Sequence, residues 1–249
     1  MAADRSDRLG SDGRIDIWRH PLPVRITHWV NVACVVILVM SGLQILKAHP
    51  HLYWGLKSTF AEPWLSLPDA PGWLTIPSYR DLATGRRWHF FFAWVFVING
   101  LIYLAYIFLF GRLRRVLTPS RNELKGLGGS VVEHARLRFP EGEAARRYNI
   151  IQKLTYLIVL LGLLPLMLVT GLAMSPGMNA AWPWLLDILG GRQSARTLHF
   201  LSASGIVVFA FVHVALVILS GLANNMRSML TGWYAISPEP PEAEPHDET

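Results

Sequence analysis

Cysteine is almost missing from this chain: Cys34 is the only one among 249 residues. No intramolecular disulfide can form, and no zinc knuckle or iron–sulfur cluster held by several thiolates can be built. Charge is scarce as well. Asp, Glu, Lys and Arg together make up 16% of the residues against 52% hydrophobic, and mean hydropathy is +0.32, values outside the usual range of a soluble domain. A C-x-x-C-H string is absent, and no internal repeat is visible.

What is present is a set of four charge-free apolar runs, Ile26–Leu46, His89–Phe110, Leu154–Met174 and Thr197–Met226. Each reaches the roughly 20 residues that cross about 30 Å of hydrocarbon. The helices that carry them are expected at about 22–46, 87–110, 150–174 and 196–226. The fold class is therefore an all-α membrane protein with a bundle of four transmembrane helices.

Lys and Arg are retained on the cytoplasmic side of membrane helices. Arg5, Arg8, Arg14, Arg19 and Arg25 precede the first run, and nine Lys or Arg lie between Arg112 and Arg147. The other two connections are poorer, so both termini are expected in the cytoplasm, with the chain multi-pass in the membrane. The first run is too long for a signal h-region and reads as a retained span. The net charge of +6 is accounted for by cations beside the spans and anionic lipid headgroups, with no nucleic-acid-binding motif. Residues 1–17 and 235–249 read as disordered tails, the second acidic and proline-rich. Residues 18–234 form the membrane domain. Trp54, Trp64, Trp73, Tyr53 and Tyr79 suit a connection laid on the outer face as short helices and turns. A shorter apolar stretch around Trp182–Ile188 is expected in the same interface.

Four of the nine histidines lie inside or at the mouths of the spans: His28, His89, His199 and His213. Imidazole in hydrocarbon is costly and marks a functional site. His199 and His213 are 14 residues apart, about 21 Å along one helix and close to four whole turns, so they share a face at two depths. With the first span running outward, His89 falls level with His199 near the outer face and His28 level with His213 near the inner one. Two imidazoles per layer match a porphyrin, which brings four equatorial nitrogens and needs only axial ligands; a zinc site needs three or four side chains. Without C-x-x-C-H, any haem is held by axial ligation and packing alone. Copper remains open on ligand type, and a single such histidine could simply hydrogen-bond a neighbouring helix.

Gly42 follows His28 by 14 residues and offers bare backbone at the outer layer; Gly100, Gly162, Gly171, Gly205 and Gly221 are further close-approach points, equally suited to helix packing. Such faces permit a homodimer without demanding one. Arg25, Arg86, Arg87 and Arg196 are placed to meet haem propionates or to anchor at the interface. His20, His49, His51, His134 and His246 read as solvated, with a quinone or proton-transfer role open to His49 and His51. His20, Arg25, Asn149, Gln152 and Lys153 are candidates for a quinone pocket on the cytoplasmic side.

Seven strings carry a family likeness: RITHW (Arg25–Trp29), HPHLYWG (His49–Gly55), GRRWHFFFAW (Gly85–Trp94), YNIIQKLTYL (Tyr148–Leu157), TGLAMSP (Thr170–Pro176), RTLHF (Arg196–Phe200) and HVALVILSG (His213–Gly221). Over roughly Trp18–Tyr234 the chain resembles the bacterial di-haem cytochrome b561 superfamily. Within it, the nearest likeness is to the membrane b subunits of thiosulfate reductase and nickel–iron hydrogenase type complexes. The resemblance implies a haem subunit with two b haems ligated by His28, His89, His199 and His213. It also implies electron transfer between the quinone pool and a peripheral redox enzyme, often a molybdenum or nickel enzyme, on the periplasmic face. A stand-alone oxidoreductase, such as a quinone-linked superoxide oxidase, is the enzymatic alternative, and a haem-free membrane anchor the non-redox one.

Overall fold

A computed structural model describes residues 7–9, 13–59, 62–110, 119–130 and 150–236. Four long helical segments dominate it. Helix α1 spans Leu22–Ala48 and α2 Leu82–Leu109. The third segment is α4 (Ile150–Leu157), a π-helical stretch (Ile158–Leu163) and α5 (Leu164–Met174); the fourth is α8 (Arg192–Leu219). Between them, α3 covers Arg121–Lys125, α6 Pro176–Ala181 and α7 Trp184–Ile188, and α9 (Leu222–Thr231) follows the last long helix.

The four long segments are long and apolar enough to cross a membrane, and within each at most 17% of the most apolar window is buried in the protein itself. Side chains such as Phe91, Trp94, Leu101, Leu161, Val208 and Phe211 are more than half exposed. Helices this apolar and this uncovered are stable in lipid, where their backbone groups are satisfied internally and their side chains meet hydrocarbon.

Local chemistry sets the ends. Asp81 caps α2 by accepting from the Thr84 amide at 3.0 Å, and that bond holds its carboxyl below the usual range. Helix α2 thus begins five residues before position 87. Pro165 lacks an amide and its ring crowds the carbonyl four residues back; the π-helical stretch directly precedes α5 and absorbs this mismatch. The last span stops at Leu219 rather than continuing to Met226, because Gly221 takes a φ of +105° and starts α9 in a new direction.

Two compact units make up the chain. One comprises residues 26–112 and 155–213 and holds most of the four long helices. The connection after α1 contains a short antiparallel hairpin, β3 (His51–Leu52) with β4 (Leu65–Ser66), and one 3₁₀ turn at Gly72–Leu74. Extended chain thus takes a place where short helices were expected.

The other unit comprises residues 1–25, 113–154 and 214–249. Its sheet runs in the order β1 (Arg8–Leu9), β2 (Ile15–Trp18), β5 (Trp233–Ile236), all antiparallel. Among the described residues, Arg8–Leu9, Ile15–Ile17 and Ala235–Ile236 are thus strand within the stretches 1–17 and 235–249 that were expected to lack structure; residues 237–249 lie outside the described ones. The two ends lend each other a partner strand: Ile15 pairs with Ile236 and Trp18 with Trp233, while Ile17 and Ile236 are buried together. Neither strand has a core alone, which is why composition misses it. Arg227 grips Asp16 with two hydrogen bonds of 2.8 and 2.5 Å.

Candidate functional site

Helix α8 supplies one imidazole to each of two facing pairs. The His89 and His199 ring centres are 6.3 Å apart with planes at 63°, and those of His28 and His213 are also 6.3 Å apart, at 57°. These are the pairs that the depth argument yields. Ring centres at this separation would leave room for a metal ion held by one nitrogen of each ring, were both turned toward it. The rings of each pair meet at an edge-to-face or tilted angle, and no hydrogen bond joins them. Among the described residues no group of three His, Cys, Asp or Glu could hold a metal ion. Two facing imidazoles without further ligands fit a planar metal macrocycle that brings its own equatorial donors.

The His89–His199 pair is held by two matching dipeptides. Ser41 Oγ lies 3.1 Å from His89 Nδ1, and Thr170 Oγ1 lies 2.9 Å from His199 Nδ1. Each hydroxyl also reaches the carbonyl four residues back on its own helix, Ser41 to Ile37 at 2.7 Å and Thr170 to Leu166 at 2.6 Å. The next residue is glycine in both cases. A Cβ built on Gly42 would stand 3.6 Å from His89 Cε1, and one on Gly171 would stand 3.4 Å from His199 Cε1. Both hydroxyl residues are fully buried. Sequence reasoning singled out Gly42 but passed over Ser41 and Thr170; hydroxyl–glycine dipeptides also occur at Ser204–Gly205 and Ser220–Gly221, so the dipeptide by itself does not mark these two.

The other pair is built differently. His28 Nδ1 is buried without a hydrogen-bond partner; Trp29 meets the His28 ring edge-on and Phe209 stacks on His213 at 5.8 Å. Close to His28 in sequence, Asn99 of α2 donates to the Thr27 carbonyl at 2.8 Å and to Asn31 Oδ1 at 2.7 Å, a polar clip between α1 and α2.

Over the start of α8 lies the segment His49–Gly55, whose alternate carbonyls all turn to that helix. Arg196 donates to the carbonyls of His49, at 3.0 Å, and His51. Thr197 donates to that of Tyr53 at 2.7 Å. The Gly55 carbonyl accepts from the Gln193 amide at 3.0 Å and the Gly55 amide donates to Ser194 Oγ at 2.8 Å. An extended chain turns every second carbonyl the same way, so the hairpin, not a helix, makes this strap.

Of the proposed propionate cations, Arg196 serves that strap. Arg25 donates to the carbonyls of Thr231, at 3.1 Å, and Leu230, capping α9. Arg87 is exposed, two residues before His89. Arg86 is exposed with its guanidinium 5.5 Å from the Phe90 ring centre. Among the quinone candidates, Lys153 is buried and paired with Glu123 at 2.6 Å, whose carboxyl falls to about 2, first because Lys153 donates to it. His51 bonds Ser66 at 2.9 Å. Asn149, His134 and His246 lie outside the described residues.

A mostly helical chain with four membrane-length apolar helices and two facing histidine pairs is the arrangement expected of a b-type cytochrome, and the comparisons agree. Residues 19–232 match the prokaryotic cytochrome b561 family, and the chain belongs to it, which implies b-type haem. It is 32% identical over 213 residues, 86% of this chain and 96% of the relative, to the "Putative protein-methionine-sulfoxide reductase subunit YedZ1" of Azospira oryzae. It is 22% identical over 227 residues, 85% of this chain and 78% of the relative, to the "Probable Ni/Fe-hydrogenase B-type cytochrome subunit" of Rhodobacter capsulatus.

Proposed function

We propose that this chain is the membrane subunit of a redox complex that binds two b haems and carries electrons between the quinone pool and a peripheral enzyme on the periplasmic face. The observation that carries the reading is the equal 6.3 Å separation of two histidine pairs on three helices. His89 and His199 are the axial ligands of one haem, at the outer layer; His28 and His213 are those of the other, toward the cytoplasm, where both termini lie. Haem bound in this way supplies a reversible one-electron couple with no open coordination position, which disfavours oxygen binding.

The residues around the pairs do the rest. Ser41 and Thr170 orient the outer imidazoles, and Gly42 and Gly171 leave the ring edges clear of side chains. Exposed Arg87 at the outer mouth is the cation placed for a propionate. The strap of His49–Gly55 closes over the start of α8 and offers the exposed Trp54 to a partner on that face. A peripheral oxidoreductase is favoured as that partner because both relatives are named as subunits of redox enzymes.

The test is a pyridine haemochrome assay with protein quantitation on the detergent-purified full chain. About two haems b per polypeptide supports the reading; a ratio near zero in folded protein overturns the ligand assignment.

A further inference from the structure

We propose that Ser41–Gly42 and Thr170–Gly171 are a matched pair of positioning dipeptides that fix the tautomer of His89 and His199 and lower the reduction potential of the haem bound between them. The inference rests on the ligand assignment above and goes beyond it, because it concerns residues that touch only the ligands.

A hydroxyl has one hydrogen and two lone pairs. In both dipeptides the carbonyl four residues back lies at 2.6 to 2.7 Å and takes that hydrogen. A carbonyl can only accept, so the hydroxyl oxygen is left to accept from the imidazole. Nδ1 therefore carries the hydrogen in His89 and His199, and Nε2 keeps its lone pair for a metal. Acceptors on the far nitrogen raise the electron density of the ligating one, which favours ferric over ferrous iron.

Two features make this a built arrangement rather than ordinary serine and threonine back-bonding. It occurs twice, on helices α1 and α5, once for each ligand of one pair. It is also withheld from the other pair, where His28 Nδ1 has no partner. The following glycine completes each unit, since Gly42 and Gly171 face the Cε1 edge that lies between the two ring nitrogens.

The test is a potentiometric titration of the full-length, haem-loaded protein in detergent, followed optically, together with haem stoichiometry. Four variants are compared with the wild type: Ser41→Ala, Thr170→Val, Thr170→Ser and His199→Ala. The last loses the haem of this pair and so identifies its midpoint. Ser41→Ala and Thr170→Val remove a hydroxyl that accepts from Nδ1 while both axial imidazoles stay, so haem is retained and that one midpoint moves upward. Thr170→Ser keeps the hydroxyl and the wild-type midpoint. The inference is overturned if both hydroxyl-less variants keep two haems with both midpoints unmoved, or if Thr170→Ser shifts as much as Thr170→Val. If Thr170→Val sheds a haem that Thr170→Ser retains, the positioning role stands. A wild-type protein without haem overturns the ligand assignment itself, an outcome separate from unmoved midpoints.

Discussion

His28 and His213 face each other at the ring separation that His89 and His199 adopt, yet the buried Nδ1 of His28 has no hydrogen-bond partner whereas the Nδ1 atoms of the other pair meet hydroxyls. The two pairs are alike in ring separation and unlike in what holds the rings. Helix α8 belongs to both, which makes single substitutions on it selective.

His199→Ala leaves His89 facing nothing and does not touch the other pair. Haem content falls from about two to about one per chain while the bis-histidine spectrum of the remaining haem persists. His213→Ala has the complementary effect, and a double variant has none left. Haemochrome assay with visible spectroscopy checks all three; loss of both haems from His199→Ala would show that the sites are not independent.

Gly191 carries a φ of +105°, and a Cβ there would stand 2.6 Å from the Gly55 carbonyl oxygen and 2.9 Å from Leu56 Cα. Both neighbours are backbone and cannot swing away. Gly191→Ala lowers stability by roughly 1–3 kcal/mol from the left-handed conformation alone, and more from the clash. Gly100, with open space around its Cα, is the control: Gly100→Ala leaves stability unchanged or slightly raised. Thermal unfolding in detergent separates the two.

Asn99→Leu removes both donors of the clip to Thr27 and Asn31 within the apolar part of the bundle. Intramembrane hydrogen bonds of this kind contribute on average about 0.6 kcal/mol and at most about 1.7. A loss of about 1 kcal/mol in unfolding free energy is expected, with haem content retained. A stability equal to wild type would place the helix contact on packing alone.

Glu123 has its carboxyl lowered to about 2 from 4.5, chiefly by its bond to Lys153. A depressed folded-state value stabilises the fold fully above pH 4.5, and the contribution is lost as pH falls from about 4.5 toward about 2. The effect is modest, at most about 1 kcal/mol, because the pair reaches solvent. Wild type minus Glu123→Gln, compared by unfolding midpoint across that window, isolates it: the difference shrinks on acidification, and a difference that grew would refute the pairing.

Much of the bundle was legible before any coordinates. Ile26–Leu46 and its three counterparts contain no charge over a bilayer's thickness, and hydrocarbon admits only helix there. The 14-residue interval between His199 and His213 is a property of the helix repeat, so their shared face follows from arithmetic. The ends were less legible. The last span stops at Leu219, just before a left-handed Gly221, and β2 pairs not only with nearby β1 but with β5, more than 200 residues later.

What the chain determined by itself is the number of apolar spans and which histidines can fall level with one another, since these depend on hydrophobic length and helical rise, which are local. What tertiary structure decided is which hydroxyls meet which imidazoles, that His49–Gly55 straps α8 through alternate carbonyls, and that Arg25 and Arg196 spend donors on backbone. Those contacts join residues far apart in sequence, and a hydrogen bond depends on ångström-scale distance and direction that no spacing along the chain encodes.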